Sequence, residues 1–251
     1  MATIDFTTNT DLNNRQEKIS FSDSIFYAIV IGVGGIGSWV ALDLALSGQV
    51  RNIVLIDPDN VEESNLNRTP FRISDIGLLK VEALRYIILE RRCIDVFIYE
   101  QKSSKELADT IYNNILKVDP AFNNRSLMYE RTVICDCRDN VYSDFYHLNS
   151  KYYKLGYDGM SITIDGNPKN TPVWGHQNGY NVIPSFVCPS QLVANLMVSD
   201  ILIDQSKNVD DQNYNCDESG RLNDCFTIDT QHLVKELYMI SKHRKDLVKS
   251  L

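Results

Sequence analysis

Four charged side chains in this 251-residue sequence stand at places where chemistry can be done. Asp57 closes the apolar run NIVLID, and Arg68 ends the polar stretch PDNVEESNLNR. Lys80 opens an amphipathic pattern carried by Val81, Leu84, Ile87 and Ile88, and Asp139 follows the apolar run TVICDC. A nicotinamide site needs no arginine and lysine beside its pyrophosphate. Attack of a carboxylate on the α-phosphorus of ATP does, because negative charge grows on the non-bridging oxygens and on the departing pyrophosphate. Arg68 suits that charge, and so does Lys80, whose ammonium is a compact point charge. Asp139 could share Mg²⁺ with the phosphates, since magnesium takes one or two carboxylates and completes its shell with phosphate oxygens and water. Taken alone, Lys80 reads as a solvated surface lysine; the set is what gives it a role.

The elements that must position this set begin at residues 25–68. The β-branched run Ile25–Ile31 enters a glycine cluster at Gly32, Gly34, Gly35 and Gly37, an amphipathic stretch follows from Ser38 to Leu46, and a second apolar run leads to Asp57. Strand, glycine turn, helix, strand and terminal acid form the βαβ fingerprint of a nucleotide-binding half, in which the acid holds ribose hydroxyls. Gly32 permits the turn, Gly34 lets backbone approach phosphate, and Gly37 lets helix pack on sheet. Unpaired N–H groups from Gly35 to Ser38 would face the anion. The polar segment after Asp57 lies at the carboxyl edge of its strand, where open α/β sheets bind ligands, and it carries the donors Asn65, Asn67 and Arg68.

The rest of the chain predicts an α/β fold of Rossmann type, a mainly parallel sheet flanked by helices with an antiparallel extension. Strands are expected at 94–99 and 132–137, and short ones at 154–157 and 226–228. Helices are expected from Ser104 to Leu116 and from Pro189 to Asp204, with a turn or two between Tyr142 and Leu148. Lys117 to Glu130 reads as an insertion or long connection. The alternation in SITIDG, residues 161–166, predicts a hairpin or an antiparallel edge. Residues 1–24 are expected to be an arm and 25–251 a single domain, with 205–225 a flexible loop and 230–251 a C-terminal helix.

A net charge of −8 argues against a general nucleic-acid binder, although the tail from Lys235 to Lys249 is basic. No apolar run approaches 18 residues and no secretory signal pattern is present, so a cytoplasmic, reducing setting without membrane contact is expected. The six cysteines form no CxxC pair. Cys188 reads either as a small buried hydrophobe or as a thiol activated at a helix start.

Four stretches in order, GVGGIGS (32–38), LIDPDNVEESNLNR (55–68), DIGLLKVEA (75–83) and ICDCRDN (134–140), resemble the E1-like adenylyltransferases. That family comprises ubiquitin-activating enzymes and the bacterial activators of sulfur carriers in molybdopterin and thiamine synthesis. A weaker match runs through GYDGMSITIDG (156–166) and the helix opening near Pro189. The resemblance implies an E1-like fold in which Gly32, Gly34, Gly35 and Gly37 line the ATP phosphates and Asp57 binds the ribose. It implies that Asn65 and Arg68 contact phosphate, that Lys80 neutralises the triphosphate, and that Asp139 serves Mg²⁺ and adenylate formation. Arg15 resembles the arginine that this family reaches across a homodimer into the neighbouring site. The chain departs from the bacterial members in lacking both CxxC pairs, so no structural zinc is expected. It also lacks a cysteine between Trp174 and Ile183, which leaves Cys188 as the nearest transfer thiol.

The expected activity is ATP- and Mg²⁺-dependent adenylation of a carboxylate, with release of pyrophosphate. The preferred partner is the C-terminus of a small ubiquitin-like or sulfur-carrier protein, engaged by a homodimer. Adenylation of a small-molecule or tRNA-borne carboxylate stays open, as does a non-catalytic carrier-binding scaffold that retains the fold.

Overall fold

The run IFYAIVI is apolar throughout because it is buried on both faces, as strands in the middle of a parallel sheet are. It forms β1, Ile25–Ile31, in a computed structural model that describes residues 25–139, 145, 148, 150–158, 161–165, 187–202 and 226–229. Helix α1 (Gly37–Ser47) follows and stops at Gly48, which takes the left-handed conformation with φ 70° and donates its N–H to the Ala45 carbonyl. Then come β2 (Val50–Ile56), α2 (Lys80–Leu89), β3 (Asp95–Tyr99) and α3 (Lys105–Val118), whose first turn is capped by the Ser104 hydroxyl. Helix α4 (Arg125–Arg131), β4 (Thr132–Asp136), β5 (Lys151–Asp158), β6 (Ser161–Asp165), α5 (Val187–Leu202) and β7 (Phe226–Asp229) complete the described elements.

The strands lie in the order β3, β2, β1, β4, β5, β6, β7. The first five run parallel; β6 and β7 are added antiparallel, the extension that the alternating SITIDG pattern predicts. Alternate residues of β1 feed two cores. Ala28 and Val30 pack with Val40, Leu44, Leu84 and Met197 on the face covered by α1, α2 and α5. Tyr27, Ile29 and Ile31 pack with Leu107, Ile111 and Phe122 on the face covered by α3.

Two expectations need adjustment. The stretch 117–130 is not a plain connection: a 3-10 turn at Pro120–Asn123 leads into α4, with Asp119 and Asn124 accepting from the Ala121 and Ser126 amides. The cause is Phe122, fully buried and edge-on to Phe26 and Tyr27 at 5.6 and 5.5 Å between ring centres. Burying that ring contributes about 1.5–3 kcal/mol, enough to hold a short polar segment in place. Strand β5 also starts three residues before the expected Lys154, because Lys151 pairs with Val133.

The expectations for the arm at 1–24 with Arg15, for most of 142–148, for 166–186, for the loop 205–225 and for the helix 230–251 lie outside the described residues. Among the described residues, no helix is long and apolar enough to cross a membrane.

Candidate nucleotide site at the ends of β1, β2 and β4

The strand order reverses at β1, which has β2 on one side and β4 on the other. Open α/β sheets bind ligands at the carboxyl edge of such a switch point, and the expected site residues are found there. Gly32 leaves β1 with φ +84°, and a Cβ on it would meet Arg138 Cγ at 3.1 Å. A Cβ on Gly37 would stand 1.8 Å from the Gly32 carbonyl oxygen, so helix α1 can close on the turn only without a side chain there. Gly34 differs: a Cβ on it would have no atom within 4 Å. Packing thus accounts for Gly32 and Gly37, while Gly34 presents bare backbone to open space. The Ser38 hydroxyl closes the turn by donating to the Gly34 carbonyl at 2.6 Å.

Asp57 binds the turn to the end of β2. Its Oδ2 accepts from the Val33 N–H at 2.7 Å and its Oδ1 from the Asp59 N–H at 2.9 Å. Burial pushes this carboxyl up, opposed by Lys80 and by the two amides. The Lys80 ammonium lies 3.8 Å from Asp57 Oδ1 and 2.9 Å from Asp59 Oδ2, so the lysine is drawn into the site instead of standing free on the surface.

Asn65 and Arg68 sit on the crossover after β2. The Asn65 Oδ1 accepts the Glu62 amide at 3.1 Å, and its carbonyl accepts from the Arg68 N–H and the Thr69 hydroxyl. As placed, buried Asn65 shapes the turn from which Arg68 projects. The Arg68 guanidinium donates to the Ser64 carbonyl and to Asn67 Oδ1, and a Cβ on Gly35 would find Arg68 Cδ at 3.3 Å. The Trp39 indole N–H donates to the Arg68 carbonyl at 2.8 Å, pinning this residue to α1.

Asp139 is exposed at the mouth of the site. The protein around its carboxyl pushes it up by desolvation, and Lys154, Arg68 and Lys80 pull it back, in that order of strength. On balance the desolvation prevails, and the carboxyl stands above its ordinary value. The structure thus brings Arg68, Lys80 and Asp139 into one electrostatic neighbourhood, as their sequence positions predict, and adds Lys154. Among the described residues no three His, Cys, Asp or Glu side chains cluster to hold a metal. Magnesium on a nucleotide needs no such cluster, because phosphate oxygens and water complete its shell, so one exposed carboxylate fits it.

The sequence reading missed the cluster beneath Asp139. Asp136, fully buried at the end of β4, accepts from the Arg138 N–H, Nε and Nη2, from the Tyr152 hydroxyl at 2.6 Å and from Lys154 Nζ at 3.1 Å. Burial would raise this carboxyl, but the Arg138 hydrogen bonds and the Lys154 charge outweigh it and hold it below the usual range. Burial draws the Lys154 ammonium down against the pull of Asp136. One signal was available: Lys154 between the aromatic and apolar residues of YYKLGY (152–157), on the strand following ICD. Tyr157 and Ser190 were missed as well, and their hydroxyls would meet a Cβ on Gly35 at 3.0 and 3.2 Å.

Cys188 is exposed in the first turn of α5, two residues before Ser190, which overturns its reading as a buried hydrophobe. Cys135 is the opposite case: burial pushes its thiol up to about 12, and it belongs to the core.

Comparison with known proteins agrees with this geometry. The curated relatives include the NEDD8-activating enzyme E1 catalytic subunit of Arabidopsis thaliana, 48% identical over 64 residues, which are 25% of this chain and 14% of that protein. The adenylyltransferase and sulfurtransferase MOCS3 of Drosophila grimshawi is 31% identical over 142 residues, 55% of this chain and 28% of that protein. The tRNA threonylcarbamoyladenosine dehydratase of Haemophilus influenzae is 40% identical over 85 residues, 31% of this chain and 32% of that protein. The matches span about a third or less of those relatives. Among solved structures, PaaA superposes with a TM-score of 0.60 at 19% identity, covering 92% of this chain and 73% of that one. E. coli MccB with ATP gives 0.50 at 21% identity, covering 78% and 58%, and both likenesses concern the fold. The ThiF family model matches residues 9–169, well over half of the 251 residues, and with the glycine turn, Asp57, Arg68, Lys80 and Asp139 all at one sheet edge, the chain belongs to the ThiF family of E1-like proteins.

Proposed function

We propose that the chain uses ATP to adenylate a carboxylate, preferentially the C-terminus of a small ubiquitin-like or sulfur-carrier protein. The observation that supports this most is Lys80, drawn to 3.8 Å from Asp57 at the sheet edge where the Gly34 backbone lies open. The phosphates lie along the glycine turn, with Asp57 on the ribose. Asp139 would hold Mg²⁺, which would supply positive charge to offset that of the phosphates. The acceptor carboxylate attacks the α-phosphorus, the bond from that phosphorus to the bridging oxygen breaks, and pyrophosphate leaves with the electron pair. Arg68 and Lys80 stabilise the charge that grows during this step, a contribution that preorganised cations make without reorganising.

The names of the curated relatives, an activating enzyme for NEDD8 and an adenylyltransferase, support this chemistry. Residues 25–251 act as one ATP-binding domain. The active species is a homodimer that brings Arg15 of one copy to the site of the other, and exposed Cys188 is the candidate for transfer after adenylation. A second reading, adenylation of a tRNA-borne carboxylate, draws on the relative named as a tRNA threonylcarbamoyladenosine dehydratase.

The test is isotope exchange between pyrophosphate and ATP, with Mg²⁺ and a panel of small proteins ending in Gly-Gly, and threonylcarbamoyl-tRNA in a parallel arm. Exchange with a carrier supports the first reading and exchange with tRNA alone the second. ATP binding without exchange in either arm overturns both readings in favour of a small-molecule carboxylate or a scaffold, and the absence of both ATP binding and exchange overturns the assignment.

A further inference from the structure

We propose that Lys154 is a positioning residue for Asp139, because its ammonium bonds both the Asp136 carboxylate and the Arg138 carbonyl and so fixes the peptide unit that leads into Asp139. The inference rests on the reading of Asp139 as the carboxylate that serves Mg²⁺ on the nucleotide.

Three successive anchors lead from β4 to that carboxylate. The Cys137 N–H donates to the Ile31 carbonyl at 2.8 Å, which carries the β1–β4 pairing one step past the strand. The Arg138 N–H and Nε turn back onto Asp136 Oδ1 at 3.2 and 2.9 Å. The Arg138 carbonyl then accepts from Lys154. In a planar trans peptide the carbonyl and the following N–H point in opposite directions. Holding the Arg138 oxygen on Lys154 therefore turns the Asp139 N–H away from the buried cluster. The opposite wall is Gly32, where a Cβ would stand 3.1 Å from Arg138 Cγ and 3.2 Å from the Arg138 nitrogen. The segment before Asp139 is held between the glycine turn and Lys154.

Stability does not explain the lysine. Lys154 is 1% exposed and lies opposite Asp136 in the β4–β5 register, on the side of the sheet that carries Ile134 and Tyr152. An apolar pair of similar size at such a place is neutral or stabilising in many proteins, because desolvating two ions costs about what their attraction returns. The ion pair instead holds a donor against the Arg138 carbonyl, at the peptide that precedes the exposed carboxylate.

The test measures ATP affinity by calorimetry with and without Mg²⁺, taking the ratio as the gain due to the metal. Asp139→Asn is expected to abolish most of the gain. Lys154→Met is expected to reduce it by about tenfold or more, the range in which partners of metal-holding residues act. Metal-free ATP affinity should stay near the wild-type value, and the double variant Lys154→Met/Asp139→Asn should lose no more than Asp139→Asn alone. A Lys154→Met protein that keeps the gain overturns the inference, as do losses that multiply in the double variant, the sign of a merely structural role. If Lys154→Met does not melt cooperatively, Asp136→Asn/Lys154→Met, which removes both charges, replaces it with the same expected and overturning results. A wild type that binds ATP without any gain from Mg²⁺ overturns the reading of Asp139 and this inference with it, whereas a gain that only Lys154→Met retains leaves that reading intact.

Discussion

The Asp57 carboxylate accepts the Val33 N–H at 2.7 Å, so the acid at the end of β2 braces the turn that leaves β1. One side chain thereby links the expected ribose site to the expected phosphate site. Asp57→Ala strands two amides, those of Val33 and Asp59, near the base of the site. A buried donor left without a partner costs about 1–3 kcal/mol. The variant is expected to lose stability in that range in urea unfolding and to lose ATP affinity in calorimetry. Loss of affinity without loss of stability would show that the brace contributes nothing to the fold.

Lys80 has two effects that separate with pH. It lies 3.8 Å from Asp57 and counters the desolvation that raises this carboxyl. In Lys80→Ala the Asp57 carboxyl rises further above its unfolded value. A raised acid binds its proton more tightly folded than unfolded, so stability falls as pH climbs from the unfolded value through the folded one. The stability difference between wild type and Lys80→Ala should therefore be larger at pH 8 than at pH 4, measured by urea unfolding. Pyrophosphate exchange at pH 8 should fall about 100-fold or more, the usual effect of removing one preorganised charge from a transition state.

The βαβ unit, the crossover and the helix opened by Lys80 were legible because each is local: an apolar run, a glycine cluster and a helical period announce themselves within a short window. The strand at 132–136 and the acid following it were legible for the same reason. The Asp136–Lys154 pair was not. Those residues stand 18 apart and meet only through the register of β4 on β5, which no local pattern specifies. Asn65 was legible as a polar residue in the right segment, but its bond to the Glu62 amide depends on the turn that it closes. Phe122 likewise looked like one aromatic in a polar stretch until Phe26 and Tyr27 surrounded it.

Asp43, on α1, is a different kind of acid. Burial raises its carboxyl to about 6, against 3.8 for an ordinary aspartate. Below about pH 4 it is protonated folded and unfolded alike, and its effect vanishes; above about pH 6 it must be ionised in a poorly solvated place, and the folded state loses stability. The side chain is partly open to water, which screens the effect to about 1 kcal/mol. Asp43→Asn is expected to raise the melting temperature at pH 7.5 and to match wild type near pH 4. An equal effect at both pH values would show that the charge is not its cause.

Gly34 and Gly37 offer the sharpest separation of ligand from packing, since each has a negative φ and differs only in what a methyl group would meet. At Gly37 that methyl lands 1.8 Å from the Gly32 carbonyl oxygen, backbone against backbone, with no flexible side chain to move aside. Gly37→Ala must push α1 off the sheet and is expected to unfold the domain or lower its melting temperature severely. At Gly34 the methyl meets nothing within 4 Å and should be tolerated by the fold. If that space belongs to phosphate oxygens, Gly34→Ala will melt within a few degrees of wild type and yet bind ATP at least about tenfold more weakly, because an interaction worth about 1.4 kcal/mol is already that factor. Wild-type ATP affinity in a well-folded Gly34→Ala protein would place the phosphates elsewhere than on this turn.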